Sequence, residues 1–482
     1  MSPTIRVPVA KVARLARKGA IGLGSFVLLI LLACFVINFF DTSLSAESNG
    51  LLASPPYLYP SEDNIYVALA GLDGPSQTSV VDTGNARIEA YNQALDSMQV
   101  DPDAAVAFSK RADSSTFTFN GDLKLQPLTS SIWTYAKSHR ADITALLTSN
   151  QELYQRYLVM QRLHGYYETA RPSILAPRFY VPPPLRALFL ADISARIQTG
   201  TRSQKRAALD DLGQDLQMWQ VVLKGDGAFL SKMIAVASLH ADFLVLADVI
   251  ADPNAGPALL DGKQGSVISP FALSDWKIGK VFNAEFRAEA PLIRSIPFTN
   301  SAAAGNSARL SSWWKRPWSA FQMHFFRLNA TENLNAAQMT QVANLSESDP
   351  ARFSQSLEAY RGWLKRNETL WSPTILYNPV GKILVWSWAT THEDYPMRAF
   401  DVAALQRLVY LAYQLRVQRI DTSDVAAFLL QHPEWSTHPI DAKPFRWSPA
   451  TGELAVNTAA RYRDARRFSV TFRLAPAASP TN

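Results

Sequence analysis

The chain has 482 residues, with 47 Lys and Arg against 41 Asp and Glu, and a single cysteine. Five of the basic residues precede residue 19, so the rest of the chain carries 42 basic and 41 acidic residues. That near-neutral balance excludes the basic surface on which nucleic-acid binding depends. One cysteine likewise excludes an intramolecular disulfide and a cysteine-based zinc site.

The first predicted element is a transmembrane helix over residues 19–40. This apolar run of 22 residues is interrupted only by Ser25 and Asn38. As a helix it reaches about 33 Å, enough to cross a hydrocarbon core of about 30 Å. The tail 1–18 holds the five basic residues, so the positive-inside rule predicts a cytoplasmic N-terminus. We therefore expect a single-pass protein of the bacterial inner membrane whose C-terminal region is periplasmic.

Two other interpretations of the same segment stay open. A cleaved secretory signal would need a shorter apolar core and a small-residue site, for which Ser43, Ser45 or Ala46 is available. Residues 31–34, Leu-Leu-Ala-Cys, resemble the lipobox of bacterial lipoproteins, whose cysteine is acylated after cleavage. Because the apolar run continues to Phe40, the sequence favours Cys34 as a small apolar residue inside a spanning helix.

After the span, residues 41–60 combine Ser, Asn, Gly and Pro without periodicity, which predicts a linker. Helical periodicity then dominates, and a stretch over 117–125 is predicted to be extended. The predicted helices cover 64–72, 85–98, a hairpin with apolar stripes over 132–147 and 153–164, 185–199, 204–224, 228–251, 275–290, 314–328, 334–343, 352–366, 398–420 and 425–432.

The segment 228–251 is apolar on nearly every face, which predicts a buried central helix. Its length also allows a second membrane span. Lys232, His240, Asp242 and Asp248 argue against a span, because charged and ionisable side chains are costly in lipid.

Near the C-terminus the periodicity changes from helical to alternating. Residues 444–447, 454–456 and 467–474 alternate apolar and polar side chains, which predicts a small β-meander. A Ser, Ala, Gly and Asn stretch over 300–307 marks the expected boundary between two subdomains, 61–299 and 308–482. The expected fold class is mainly α: an N-terminal transmembrane helix, a multi-helix extracytoplasmic body and a small terminal sheet.

Three short blocks resemble segments of uncharacterised single-pass envelope proteins of Gram-negative bacteria. They are residues 64–71 (NIYVALAG), 376–382 (LYNPVGK) and 441–447 (DAKPFRW). The resemblance implies a location in the cell envelope and carries no activity with it.

Glu285 and Glu289 are the candidate catalytic residues. They lie four positions apart on a predicted helix, so their carboxylates share one face. Paired carboxylates serve glycoside hydrolysis, one as acid and the other as nucleophile or base. The alternative is an ordinary exposed helix face, on which Arg287 and Arg294 lie close enough to pair with the two glutamates.

An aromatic cluster at Trp313, Trp314 and Trp318 is the candidate membrane or ligand surface. Trp beside basic residues is typical of a membrane interface, and its ring also stacks on sugars and cations. The spacing of Trp314, Trp318, Phe321 and Phe325 is equally that of a buried helix face. All three interpretations remain open.

Other chemistry has little support in the sequence. Ser274 and Ser312 each begin an S-x-x-K motif, but the S-D-N and K-T-G elements that accompany it in penicillin-binding enzymes are missing. The seven histidines are dispersed and form no H-E-x-x-H pattern. We therefore expect neither a metal site nor a cofactor.

These observations favour a membrane-tethered periplasmic protein that binds or organises other envelope components without catalysis. The expected partners are the inner membrane, through residues 19–40, and an envelope protein. The alternatives are an envelope hydrolase acting on glycan or peptide through Glu285 and Glu289, and a carrier that holds an apolar ligand between its helices.

Overall fold

The computed structural model describes residues 9–53, 59–98, 118–122, 131–172, 181–252, 267–302, 323–367, 373–389, 392–460 and 468–471. Within these residues the chain is mainly helical, with one small antiparallel sheet near the C-terminus, which confirms the predicted composition of the fold.

The helices come in the order in which periodicity predicts them, with three additions, α2, α14 and α17; the predicted helix 314–328 lies mostly outside the described residues. They are α1 (Val9–Ile37), α2 (Ala46–Leu52), α3 (Ile65–Gly71), α4 (Val80–Met98), α5 (Ile132–Ser138), α6 (Arg140–Ser149), α7 (Gln151–Met160), α8 (Pro183–Thr199), α9 (Arg202–Lys224), α10 (Phe229–Ala251), α11 (Gly279–Ala302), α12 (Leu328–Glu347), α13 (Phe353–Asn367), α14 (Pro379–Ala389), α15 (Asp394–Val417), α16 (Val425–Gln431) and α17 (Pro433–Ser436).

Helix starts follow local chemistry that periodicity alone does not reveal. Helix α8 begins at Pro183, where a missing N–H costs nothing because the first turn has no intrahelical acceptor for it. Helix α9 begins after Thr201, whose hydroxyl accepts the N–H of Gln204 while the Gln204 side chain accepts the N–H of Thr201. This capping box satisfies two otherwise unpaired donors. Both helices therefore start two residues before their predicted positions.

The chain forms two compact units, each assembled from separate stretches. Unit 1 contains Met1–Ala53, Ala290–Gln338 and Gly362–Thr390; unit 2 contains Ser54–Glu289, Met339–Arg361 and Thr391–Asn482. This division differs from the expected subdomains 61–299 and 308–482. Sequence composition locates breaks along the chain, whereas compact units are defined by packing between segments far apart in sequence.

In unit 1, α1 carries the apolar segment that the sequence analysis assigned to the membrane. Its window Ala20–Ile37 has a mean hydropathy of 2.8, and none of it is buried inside the protein. The helix is thus long and apolar enough to span a bilayer, and the same properties fit a signal sequence.

Residues 41–53 of unit 1 are folded against its other segments, unlike the expected free linker. The Asp41 carboxylate accepts the N–H groups of Asn329 (2.8 Å) and Ala330 (3.1 Å), in the first turn of α12. The Asn333 side chain accepts the N–H of Ser45 and donates to the carbonyl of Ser43. These hydrogen bonds hold residues that the Ser, Asn, Gly and Pro content predicted to form a linker.

Helix α10 is the buried centre of unit 2. Two thirds of it is buried, and it packs against α9 and α15. Its polar residues are accommodated by specific partners: Asp248, for example, accepts the hydroxyl of Ser131 at 2.8 Å. The helix also meets the length and composition of a membrane span, but its burial fits the predicted core role.

The sheet of unit 2 has strand order β1 (Arg446–Ser448), β2 (Glu453–Ala455) and β3 (Ser469–Thr471), all antiparallel. Leu454 pairs with Trp447 on one side and Val470 on the other. Beside the sheet, the buried Asp401 carboxylate accepts the N–H of Ala459 (2.7 Å) and His438 Nε2–H (2.9 Å). Asp401 thereby holds the C-terminal region to α15.

Candidate functional site

Unit 2 contains a polar pocket with a volume of about 180 Å³. Four segments supply its walls: Tyr66 of α3, an extended stretch after α7, the turn between α9 and α10, and one face of α11. The lining residues are Tyr66, Tyr167, Glu168, Thr169, Ala170, Arg171, Pro172, Asp226, Gly227, Ala228, Ala284, Arg287 and Ala288.

Asn64 fixes the extended wall of this pocket. Its side-chain amide donates to the carbonyl of Tyr167 (2.9 Å) and accepts the N–H of the same residue (3.1 Å). The Asn64 side chain also accepts the N–H of Tyr66 and so caps α3. One side-chain amide thus forms hydrogen bonds with both the extended segment and the first turn of α3. The pocket wall is therefore anchored to the helical core of unit 2.

A close backbone approach joins the extended wall to the turn between α9 and α10. Tyr167 and Asp226 form a parallel β-bridge. At Gly225, a Cβ atom would lie 2.4 Å from the carbonyl oxygen of Tyr166, closer than any real Cβ approaches. Glycine at 225 is therefore what allows the two walls to meet.

Charges of both signs line the pocket and are partly paired. Arg287 contacts the Asp226 carboxylate at 3.2 Å. Glu168 accepts the hydroxyl hydrogens of Tyr166 (2.7 Å) and Ser231 (2.6 Å). With Arg171 as the fourth charged residue, two carboxylates face two guanidinium groups, so the lining has no net charge. Such a lining suits an uncharged group that forms hydrogen bonds.

Lys232 lies behind the pocket wall and serves the fold. Its ammonium donates to the carbonyls of Val222 and Gly225 at the end of α9 and lies 4.7 Å from the centre of the Tyr166 ring. Burial lowers the pKa of Lys232 to about 8. The carbonyls at the end of a helix receive no N–H from within that helix. A cation at this position donates to them and also complements the helix dipole.

The structure places Glu285 and Glu289 in the interior of unit 2 and outside the pocket lining. Glu285 accepts the N–H of Phe229 (3.2 Å) at the first residue of α10, and burial raises the pKa of its carboxyl. Glu289 is 8% exposed. The exposed helix face considered for them is thus absent, and Arg287 pairs with Asp226 instead.

The other candidate surface cannot be compared, since Trp313, Trp314 and Trp318 lie outside the described residues. Among those that are described, no three His, Cys, Asp or Glu side chains come together in a way that could hold a metal ion. His392, Glu393 and Asp394 are three possible metal ligands that are consecutive in sequence. The Glu393 carboxylate accepts hydrogen bonds from the Arg361 guanidinium.

A second charged cluster is buried in the helical core of unit 2. Arg186 on α8 donates to the carboxylates of Asp215 on α9 and Asp242 on α10. Tyr157 on α7 and Gln161, the residue that follows this helix, both donate to Asp215. Neither aspartate side chain is exposed.

The electrostatics of this cluster are uneven. Burial raises the pKa of Asp242 well above its usual value, and the neighbouring Asp215 raises it further, although Arg186 opposes both effects. Burial works against the charge on Arg186, yet Asp215 and Asp242 outweigh it and raise the pKa of the guanidinium. One cation thus faces two carboxyl groups, of which Asp242 binds a proton more readily than an ordinary aspartate.

We expect His392 to make the stability of unit 2 depend on pH. The imidazole lies among the rings of Phe229, Phe282 and Tyr395, and burial lowers its pKa to about 4. Below pH 6.5 the unfolded chain takes up a proton that the folded chain resists, so stability falls as the pH decreases. Between pH 7 and pH 4 the loss from this residue is about 3 kcal/mol.

Urea unfolding of the wild type and His392→Phe at pH 7, 5 and 4 measures this contribution. The variant keeps an aromatic side chain among the same rings and cannot titrate. We expect the wild type to lose about 3 kcal/mol more than the variant over this range. Equal losses in both proteins would contradict a buried, neutral His392.

The sequence analysis missed the pocket because its charged residues belong to separate segments with no common motif. Glu168 and Arg171 follow α7, Asp226 follows α9, and Arg287 lies within α11. The one available signal was the block 64–71, whose Asn64 fixes the pocket wall.

The chain as a whole was compared with known proteins in three ways. No protein-family model matches it. Neither a curated protein nor a solved structure matches it at a significant level. The resemblance of the three short blocks to envelope proteins therefore stays a prediction.

Proposed function

We propose that this chain is a membrane-tethered binding protein of the bacterial cell envelope. The observation that carries the proposal is the apolar surface of α1, of whose window Ala20–Ile37 no part is buried. A contiguous exposed apolar surface of this length is costly in water and favourable in lipid. Such a surface supports a span through the inner membrane.

The charge distribution supports one orientation of that span. Arg17 and Lys18 are exposed just before the apolar window, and three further basic residues precede them in the sequence. Cytoplasmic retention of this basic tail directs the C-terminal region into the periplasm. Cys34 lies inside α1, and its thiol donates to the carbonyl of Leu376 (3.2 Å), which favours an uncleaved helix over a lipidated N-terminus.

The pocket of unit 2 supports binding more than catalysis. At about 180 Å³ it is smaller than the sites of about 300–1,000 Å³ that enclose drug-sized molecules. Its balanced charges and hydrogen-bonding groups match a small uncharged polar group. We assign it to one such side chain of a partner protein in the envelope.

The two alternative functions gain less from the geometry. The Glu285 carboxylate accepts the first N–H of α10, and neither Glu285 nor Glu289 lines the pocket. The pocket therefore gives no support to a hydrolase built on this pair. A carrier of apolar ligands would need an apolar cavity, whereas four charged residues line this one.

A pulldown of the full-length protein from native membranes tests the proposal. We expect the wild type to recover a protein partner in stoichiometric amount. Ala288→Leu, which fills the pocket from α11, should recover at most about one tenth of that amount. Thr169→Phe fills the same pocket from the extended wall and gives the same result if Ala288→Leu folds poorly. Ala90→Leu, on an exposed face of α4, is the matched control and should retain the partner.

Two outcomes would count against the proposal. A wild-type protein that is recovered alone would remove the support for a binding role. A partner that is retained equally by Ala288→Leu and Thr169→Phe, both folded by circular dichroism, would assign the interaction to a surface other than this pocket.

A further inference from the structure

Within unit 1, the segments 290–338 and 362–390 are attached to α1 at the end of the apolar window. The Cys34 thiol and the Asn38 side chain both donate to the carbonyl of Leu376, at 3.2 and 2.6 Å. Asn38 also accepts the N–H of Asn378 (2.8 Å). Asn38 is fully buried, so the polar residue that interrupts the apolar run serves as an attachment point for the turn at 376–378.

A second contact holds the same part of α1. The ring of His324 stacks on Phe35 with centroids 4.0 Å apart, and His324 Nε2 forms a hydrogen bond with the Phe35 carbonyl (2.7 Å). Phe39 approaches the same imidazole edge to face, with centroids 5.0 Å apart. Residues 34–39 are therefore held by two other segments of unit 1, one at His324 and one at the turn 376–378.

These contacts fix the depth of unit 1 relative to the span. Cys34 lies three residues before the end of the window Ala20–Ile37, which is about 4.5 Å along a helix. If the window occupies the hydrocarbon core, the turn at 376–378 lies at its boundary. The bonds from Asp41 to the first turn of α12 leave no free chain that would lift unit 1 away.

Helix α14 begins at Pro379, directly after this turn. Its sequence PVGKILVWSWA has one charged residue, Lys382, whose ammonium donates to the carbonyl of Thr374. One face of α14 is buried, with Val385 at 1% and Trp386 at 9% exposure. Ile383 lies away from that face and is 56% exposed, so the outer side of the helix carries one large exposed apolar side chain, one turn before the exposed Ser387.

We infer that α14 is a second membrane contact, whose outer face around Ile383 lies at the boundary between lipid headgroups and acyl chains. This inference rests on the proposed membrane span of α1. Its occupant is lipid because α14 begins directly after the turn that is bonded to the end of the span, where the rings of Phe39 and Phe40 are also exposed. Aromatic side chains are enriched at that depth, and an apolar helix face gains free energy there.

Spin labels on single cysteines of the full-length protein in phosphatidylcholine and phosphatidylglycerol vesicles test the inference. Cys34→Ser removes the only native cysteine and keeps a hydrogen-bond donor at 34. Labels are then placed at Leu28→Cys in the middle of α1, Ile383→Cys on α14 and Glu47→Cys on the exposed side of α2. Collision with oxygen, which partitions into lipid, is compared with collision with a soluble nickel chelate.

We expect the ratio of oxygen to nickel collisions at Ile383 to be several-fold above that at Glu47 and below that at Leu28. A ratio at Ile383 equal to that at Glu47, with Leu28 in lipid, would overturn the second contact and leave the span intact. A label at Ile383 that neither reagent reaches would assign the face to a protein partner and equally overturn the inference. A water-accessible Leu28 would instead contradict the proposed function.

Discussion

Replacing Arg186 with Met is expected to lower the free energy of unfolding of unit 2 by about 3–5 kcal/mol. The substitution removes the cation that faces Asp215 and Asp242, both fully buried on neighbouring helices. The remaining carboxyl groups must then be protonated or stay as uncompensated charges in the core. Met keeps most of the aliphatic volume, so the loss reports the charge rather than a cavity.

Urea unfolding of Arg186→Met and Arg196→Met measures this effect against a matched control. Arg196 lies on the same helix and pairs with Asp192 (2.9 Å) and Asp211 (2.8 Å), but its side chain is 30% exposed. Solvent screening should limit its loss to about 1 kcal/mol. Similar losses in the two variants would show that burial adds nothing to the Arg186 interactions.

The two aspartates of this cluster should also differ. Because burial raises the pKa of Asp242, its negative charge is less favourable than that of an ordinary aspartate, and Asp242→Asn removes that charge. Asp215 accepts hydrogen bonds from Tyr157, Gln161 and Arg186, so Asp215→Asn replaces an acceptor oxygen with an amide donor. We expect the greater destabilisation at Asp215, and the reverse order would contradict this difference between the two aspartates.

Gly84→Ala is expected to destabilise unit 2 by about 3 kcal/mol or more. At Gly84 of α4, a Cβ atom would lie 1.9 Å from the carbonyl oxygen of Val67 in α3. Gly71 of α3 meets α4 in the same way, with a Cβ position 1.8 Å from the Val80 carbonyl oxygen. Since rigid backbone forms both obstacles, the helices must separate, and the surrounding packing is lost.

Asn85→Ala is the control for this substitution, because it adds the same residue to α4 at the next position, on an exposed face. There Ala has the higher helix propensity, and the expected change is within about 0.5 kcal/mol. Thermal unfolding followed by circular dichroism compares the two variants. A Gly84→Ala protein as stable as Asn85→Ala would contradict the close approach of α3 and α4.

The sequence predicts the helical fold best where one long element carries an unbroken pattern. Helices α8, α9 and α10 end where periodicity places their ends, and alternation finds the small sheet. Helix α11 was predicted to stop before Pro291, which removes a backbone donor. The structure extends it to Ala302, and the turn after the proline forms two hydrogen bonds from Arg294 to Glu332.

Elements defined by contacts between distant segments escaped prediction. No helix was predicted over 379–389, although Pro379 is the first residue of α14. Proline suits that position because the first residue of a helix has no intrahelical acceptor for its N–H. The pocket escaped for a related reason, since its charged residues come from three separate segments. Asp242 did signal a buried partner by its position in an apolar helix, yet nothing in the sequence named Arg186.

The hydrogen bonds that Asp41 accepts from α12, and the one that Asn333 donates to Ser43, make the residues just after α1 part of the folded body of unit 1. If α1 spans the membrane as proposed, a protease that released the chain by cutting between Asp41 and Leu52 would also separate α12 from its cap. The released fragment would differ in stability from the tethered protein, so location and folding are coupled. A soluble version for biochemical work should therefore begin at or before Asp41.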